Sequence, residues 1–160
     1  MGSGVVAPDR MDGVMEDSWR PGEIRLLIPS SLEYLELVDR VAEGFARMVG
    51  FDEEAASGIA IAVSEAGTNA VQHGHGYDPT RPVLFVFKLK DLGLEVSVRD
   101  EGPGFDPEKV LDFDPSEPEN LLKPRGRGIF IMRSLMDEVS FDTSPGAGCT
   151  ALLRKALPAR

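Results

Sequence analysis

Residues 65–74 read EAGTNAVQHG, and no other stretch constrains the fold as strongly. Glu65 and Asn69 are four residues apart within it, and His73 continues the same spacing. Side chains at this spacing share one face of a helix. A carboxylate and an amide among Ala, Gly and Val residues are costly to bury unless something satisfies them. The pattern therefore predicts either a ligand site on this helix face or an amphipathic helix with a polar outer side.

The two polar side chains offer chemistry that suits a metal–nucleotide complex. Asn69 carries an amide oxygen, which a hard cation such as Mg²⁺ accepts as a ligand. Glu65 carries a carboxylate that can act as a base toward a hydroxyl or a water close to a γ-phosphate. His73 is interpreted as a structural hydrogen-bonding residue, and with His75 it gives too few ligands for a metal site.

The sequence on either side of this stretch predicts short strands and helices. Asp52 favours the start of the helix that carries residues 65–74, because its side chain can cap the first turn. Ser30 and Glu33 form the S-x-x-E pattern of a capping box and predict the start of an earlier helix. In chain order, the predicted elements are a strand at 23–28, helices at 30–50 and 52–73, strands at 83–89 and 92–98, a helix at 127–136, and a hairpin of strands at 139–143 and 150–154.

A second motif stands where a predicted strand ends. Asp100 is followed closely by Gly102, Pro103 and Gly104. Glycines after a strand let the backbone approach a ligand closely. A carboxylate at this point can accept a hydrogen bond from the exocyclic amine of adenine, which guanine does not offer at the same position. The other interpretation is a tight turn capped by an aspartate.

A third motif opens the last predicted helix. Gly126 and Gly128 would leave backbone N–H groups accessible at a helix N-terminus, which is a favourable site for an anion. Lys123, Arg125 and Arg127 cluster at the same place in a chain otherwise poor in positive charge. An ordinary loop is the alternative interpretation. The sequence contains neither a Walker A motif nor a GxGxxG motif.

Between the second and third motifs, the chain is rich in Pro, Asp and Glu and has no clear helical or strand pattern. Long segments of this kind in a compact domain are usually functional. We therefore predict a lid at about 103–125. Residues 1–20 lack periodicity and are predicted to be a flexible tail, which leaves one domain at 21–157.

Bulk composition narrows the class of protein. The 160 residues carry a formal net charge of −10, which argues against binding to nucleic acid or to an anionic membrane surface. Cys149 is the only cysteine, so no disulfide framework is predicted. No apolar run reaches the roughly 18 residues of a spanning helix. These features are typical of a soluble cytoplasmic protein.

Taken together, the three motifs resemble the N, G1 and G2 boxes of the Bergerat-fold ATPases. The segments that carry the likeness are EAGTNAVQHG at 65–74, DEGPGF at 100–105 and GRGI at 126–129. Within this superfamily the chain most resembles the anti-sigma-factor serine/threonine kinases. That likeness is carried by the ending His73-Gly74 and by GIFIMRSLMDEV at 128–139, and it extends over about residues 22–156.

The resemblance implies an α/β two-layer sandwich, with helices on one face of a mixed, mostly antiparallel sheet and ATP between the helices and the lid. It implies that Glu65 is the catalytic base, that Asn69 binds Mg²⁺ and that Asp100 recognises adenine. The remaining nucleotide-binding residues would be Gly102, Gly104, Lys123, Arg125, Gly126, Arg127 and Gly128.

The implied function is phosphorylation of a serine or threonine on a small anti-sigma-factor antagonist, together with sequestration of a sigma factor by an ATP-bound homodimer. One alternative is a partner-binding module that holds ATP without turnover. Another is the catalytic domain of a histidine kinase. That class needs a helical pair with a phospho-accepting histidine, and only a short tail precedes the first predicted strand.

Overall fold

The computed structural model describes residues 20–106, 117–120, 124–143 and 147–159. Most of the predicted tail and most of the predicted lid lie outside these ranges. No helix within the described ranges is long and apolar enough to cross a membrane. The helices and strands are β1 (Glu23–Pro29), α1 (Leu35–Val49), α2 (Glu53–Asn69), β2 (Pro82–Lys90), β3 (Gly93–Asp100), α3 (Pro124–Leu135), β4 (Glu138–Asp142) and β5 (Cys149–Ala156).

The strands form one sheet in the order β1-β2-β3-β5-β4. Every described pairing is antiparallel. The large side chains of one sheet face, such as Phe85, Phe87 and Leu153, are completely buried. They pack against apolar residues of α1 and α2, and the rings of Phe45 and Phe87 lie 5.8 Å apart. The predicted two-layer sandwich is therefore confirmed.

A glycine sets the close packing of α2 on this core. Gly67 faces α1 and β2, and a Cβ atom built on it would lie 2.8 Å from Leu35 Cδ2 and 3.0 Å from Phe85 Cζ. These distances are shorter than a normal carbon–carbon contact, which is about 3.5–4.0 Å. The absence of a side chain at Gly67 thus lets α2 lie directly on its neighbours, which fixes the height of its polar face above the sheet.

The other face of the sheet carries a row of alternating charges. Glu23, Lys88, Glu95, Arg154 and Glu138 are successive register partners across β1, β2, β3, β5 and β4. Arg154 Nε lies 2.8 Å from Glu95 Oε2, and its Nη1 lies 3.0 Å from Glu138 Oε1. Lys88 Nζ is 3.8 Å from Glu23 Oε2. We call these five residues the charge row.

The structure confirms one predicted helix cap and corrects another. Asp52 caps α2 by accepting a hydrogen bond of 2.8 Å from the Ala55 amide. The predicted capping box at Ser30 is wrong. The chain makes a 3-10 turn at Leu32–Tyr34 before α1, and no side chain caps that turn. The Ser30 hydroxyl instead bonds to groups distant in sequence, and the residue is completely buried.

Two further helix ends differ slightly from prediction. α2 is α-helical to Asn69 and then continues as a π-helical turn over Ala70–Gly74, so the predicted stop after His73 is close to the observed one. α3 starts at Pro124, three residues earlier than predicted. Proline suits a first helical turn because its missing N–H needs no partner there.

Candidate functional site

The polar face of α2 meets the N-terminal half of α3. A Cβ atom built on Gly128 would lie 2.9 Å from Glu65 Oε2 and 3.6 Å from Asn69 Oδ1. Gly128 is buried, whereas Glu65 and Asn69 are half-buried. The backbone of α3 therefore runs directly past both polar side chains of α2, as the combination of the first and third motifs predicted.

The surroundings of Glu65 affect its protonation. Burial raises the pKa of the Glu65 carboxyl above its ordinary value of 4.5, because the charged form loses hydration. The carboxylate is consequently a stronger base than an exposed glutamate.

The Asp100 carboxylate lies against the turn that ends α2. Asp100 is 5% exposed, and its Oδ1 accepts a hydrogen bond of 2.8 Å from the Gly102 amide. A Cβ atom on Gly74 would lie 2.6 Å from the same oxygen, and one on Gly102 would lie 2.6 Å from Gly74 Cα. Both positions therefore require glycine, because any side chain would separate the end of β3 from the end of α2.

A cavity opens between α2, β3 and the β4–β5 hairpin. Its polar lining includes Asn69, His73 and Asp100. The rings of Phe105 and Phe141 form one wall, with centroids 5.2 Å apart in an edge-to-face arrangement. The other lining residues are small or apolar: Ala66, Ala70, Gly74, Val98, Gly104, Cys149 and Ala151. The cavity has a volume of about 20 Å³, which is room for roughly one water molecule, so a flat heterocycle with an exocyclic amine would enter between these apolar walls and the buried carboxylate only if the walls moved apart.

The structure brings most of the predicted site residues together. Asn69 joins the two clusters, since it lines the cavity and also lies close to Gly128. Gly104 lines the cavity, where its φ of +74° requires glycine. Gly126 is buried at the start of α3, and Arg127 is exposed there. Arg125 is described only as part of the α3 backbone. Lys123 lies outside the described residues.

Several residues around the cavity escaped prediction. Phe141 and Ala151 come from a hairpin that was correctly predicted but not linked to the motifs. His75, which is 5% exposed, carries no sequence signal that separates it from any loop histidine. Its hydrogen bonds to Ser30 and to the Glu101 amide appear only in three dimensions.

The donor groups near Gly128 fit a magnesium ion carried by a nucleotide. Within the described part of the chain, no group of three or more His, Cys, Asp and Glu side chains could hold a metal by itself. Mg²⁺ in nucleotide sites typically takes one or two protein oxygens and completes its shell with phosphates and waters. The Asn69 amide oxygen, beside the Glu65 carboxylate, is a donor of that kind.

Comparison with known proteins identifies the family to which this chain belongs. The model described as the histidine kinase-like ATPase domain matches residues 28–154. Serine-protein kinase RsbW of Bacillus subtilis (strain 168) is 35% identical over 127 residues, which cover 77% of this chain and 79% of that protein. The chain belongs to the RsbW family of histidine kinase-like ATPases.

Further RsbW relatives match over similar lengths. RsbW of Oceanobacillus iheyensis is 31% identical over 127 residues, covering 77% of this chain and 80% of that protein. RsbW of Bacillus cereus (strain ATCC 14579) is 33% identical over 137 residues, covering 83% and 84% respectively. Both proteins carry the name serine-protein kinase. The match to the RsbW family thus extends over most of each chain.

A solved structure supports the RsbW-type fold. The crystal structure of the RsbU and RsbW domains of Rv1364c from Mycobacterium tuberculosis superposes with a TM-score of 0.58 at 20% identity. The match covers 86% of this chain and 34% of that longer chain. At this identity the likeness concerns the fold alone.

Proposed function

We propose that the chain is an ATP-dependent serine/threonine protein kinase that binds Mg·ATP between α2, α3 and the end of β3. One observation carries the proposal: Asn69 lines the cavity that contains Asp100, and its amide also lies close to Gly128 of α3. A nucleotide with its base in the cavity would therefore extend its phosphates toward Glu65 and the N-terminus of α3.

In this proposal adenine is recognised in the cavity. The Asp100 carboxylate accepts a hydrogen bond from the exocyclic amine, while Phe105, Phe141 and the alanine side chains supply apolar contacts. Gly74 and Gly102 hold the carboxylate in place, since any side chain at either position would push the strand end away from α2. The phosphates meet the first turn of α3, where the Gly126 N–H has no intrahelical partner and the helix N-terminus favours negative charge, while Gly128, two residues further on, permits close approach.

Glu65 takes the proton from the attacking hydroxyl. Its raised pKa suits this role, because a base whose pKa lies nearer the working pH accepts a proton more readily. Bound Mg²⁺, held by Asn69, would neutralise charge on the phosphates. Phosphoryl transfer depends mainly on positioning and electrostatic stabilisation, so these few groups suffice.

The substrate and partners are inferred from the family. We infer that the phospho-acceptor is a serine or threonine of a small anti-sigma-factor antagonist, and that the ATP-bound homodimer holds a sigma factor inactive. The relatives' name, serine-protein kinase, supports a protein substrate. A cytoplasmic location follows from the same proposal, because sigma factors act on transcription.

Calorimetry with ATP and GTP, in the presence and absence of Mg²⁺, tests the nucleotide site. The wild-type chain should prefer ATP, and Asp100→Asn should remove most of that preference. Equal binding of both nucleotides by the wild type would reject the adenine site. Transfer of labelled γ-phosphate to a candidate antagonist then tests the activity. Stoichiometric ATP binding with no transfer to any candidate would favour a binding module without turnover.

A further inference from the structure

Four residues beside the cavity form a closed ring of hydrogen bonds. Ser30 Oγ, at the end of β1, lies 2.6 Å from His75 Nδ1 and 2.5 Å from the Arg81 carbonyl oxygen. His75 Nε2 accepts a hydrogen bond of 2.9 Å from the Glu101 amide. The Arg81 guanidinium donates to the Glu101 carbonyl oxygen and closes the ring. We call this set the His75 ring.

The bonding partners determine the protonation state of His75. The Arg81 carbonyl oxygen can only accept, so the Ser30 hydroxyl donates its proton there. Ser30 Oγ therefore accepts from His75, which requires a proton on Nδ1. The Glu101 amide can only donate, so Nε2 must carry no proton. The neutral imidazole with its proton on Nδ1 is thus the one form that satisfies all of these bonds.

Burial and the charges around the imidazole together lower the pKa of His75, which also favours the neutral form. Burial lowers the pKa of His75 below its ordinary value of 6.5, and the Arg81 guanidinium lowers it further. The carboxylates of Asp100, the last residue of β3, and of Glu101 oppose the shift, as does hydrogen bonding with the Arg81 backbone, without reversing it. Ser30, the contact from β1, is uncharged. Neutral His75 is therefore the form present near physiological pH.

We propose that His75 is a positioning residue for nucleotide binding: its Nε2 fixes the Glu101 peptide and thereby the Asp100 carboxylate. This inference rests on the proposed function, in which Asp100 recognises adenine. Glu101 follows Asp100 directly, and its backbone is held at the N–H by His75 and at the C=O by Arg81. A proton on Nε2 would point toward the Glu101 N–H, break this bond and release the turn that carries Asp100.

Two substitutions at this position separate the parts of the ring. In His75→Gln, the side-chain oxygen can reach the place of Nε2 and accept from Glu101, while the bond to Ser30 is lost. In His75→Asn, the shorter amide can take the place of Nδ1 and donate to Ser30, while the Glu101 amide loses its acceptor. A purely structural role would make the two variants equally harmful, whereas positioning through Glu101 would not.

The experiment is calorimetry of ATP and GTP binding to the full chain at about pH 7, repeated at acid pH. We expect His75→Asn to raise the ATP dissociation constant about tenfold and to reduce the preference for ATP over GTP, because a buried N–H without an acceptor is costly. His75→Gln should stay within about twofold of wild type. Wild-type affinity should fall as the pH drops through the His75 pKa, below 6.5, and the Gln variant should lack this step.

Imidazole nitrogen chemical shifts of the wild-type chain give a check that needs no variant. Nδ1 should be protonated and Nε2 unprotonated at about pH 7. The opposite tautomer, or a charged ring, would overturn the inference. So would equal ATP affinity of His75→Asn and wild type while Asp100→Asn weakens binding, a result that leaves the proposed function intact. If the wild type binds no ATP, both the proposed function and the inference fail.

Discussion

Gly128 of α3 approaches Glu65 of α2 so closely that a methyl group on its Cα would lie 2.9 Å from the carboxylate oxygen Oε2. A side chain at position 128 would therefore displace the Glu65 carboxylate, beside which we propose that the nucleotide phosphates bind. We expect Gly128→Ala to lower the rate of phosphoryl transfer at least about tenfold, because an added methylene in a packed site displaces its neighbours. Initial rates with saturating ATP measure this.

Gly44→Ala is the matched control for that substitution. Gly44 is exposed in α1, and a Cβ atom built on it would have no atom within 4 Å. Alanine should raise the free energy of unfolding by about 0.5–1 kcal/mol, because glycine is unfavourable inside a helix. The transfer rate should not change. A similar loss of activity in both variants would show that the effect at position 128 is not local.

Replacing Glu65 by glutamine separates binding from chemistry. We expect Glu65→Gln to bind ATP with nearly wild-type affinity and to lose about 10²–10⁴-fold in transfer, because the amide cannot take a proton from the acceptor hydroxyl. Glu54→Gln, at an exposed position near the start of the same helix, should behave as wild type. Full transfer activity in Glu65→Gln would mean that another group acts as the base.

The contributions of Glu65 and Glu95 to the free energy of unfolding should change with pH in opposite directions. Burial raises the pKa of Glu65 above 4.5, so charging it costs stability as the pH rises through its folded pKa. Glu65→Gln should therefore be more stable than wild type at neutral pH, and the difference should vanish below about pH 4.5. Urea denaturation across this pH range measures the free energy of unfolding.

Glu95→Gln should change the stability at neutral pH in the opposite direction from Glu65→Gln. Burial alone would raise the pKa of Glu95, but the hydrogen bond from Arg154 and the charges of Lys90, Arg154 and Lys88 outweigh it and lower the pKa. The ionised carboxylate therefore stabilises the fold above about pH 4.5, and this stability is lost as the pH falls through the folded pKa. The glutamine variant should be less stable at neutral pH and approach wild type in acid. A constant difference at all pH values would contradict this assignment.

Gly67→Ala tests the packing that sets the height of α2. The added methyl group would meet Leu35 and Phe85 at 2.8 and 3.0 Å, so we expect a loss of about 1–3 kcal/mol in the free energy of unfolding. Thermal and urea denaturation both report it. An unchanged stability would show that the core around α2 can relax by several tenths of an ångström.

Local patterns predicted the elements well, because their causes lie close together in the sequence. The Asp52 cap depends on an amide three residues away, and the 139–154 hairpin on one turn between two alternating strands. The Ser30 prediction failed for the opposite reason. Its hydroxyl bonds to His75 and Arg81, which lie 45 and 51 positions further along the chain, and these contacts outcompete a local cap.

The site likewise combines features that the local sequence predicts with features that depend on contacts distant in sequence. The spacing of Glu65 and Asn69 predicted a shared face, and the family resemblance, now confirmed, predicted which motifs meet. Neither could predict that Gly74 lies against the Asp100 carboxylate, or that Phe105 and Phe141 form a common wall. Those contacts follow from how α2 and the β4–β5 hairpin pack, and packing depends on the whole chain.

The charge row bears on how the sheet finds its strand alignment. Side chains repeat on a strand face every two residues, so sliding β5 by two positions along β3 keeps apolar residues on the buried face. Hydrophobic burial therefore distinguishes that slipped sheet only weakly from the native one. The slip would carry Arg154 from Glu95 to Ser97 or Gly93 and remove the alternation of charges at that point. The row therefore acts mainly on β5, whose Arg154 pairs with both Glu95 and Glu138, and less on β2, where a slip of two positions would place Lys90 opposite Glu95 and keep an ion pair. The ion pairs of the charge row thus favour the native strand alignment over a slipped one during folding.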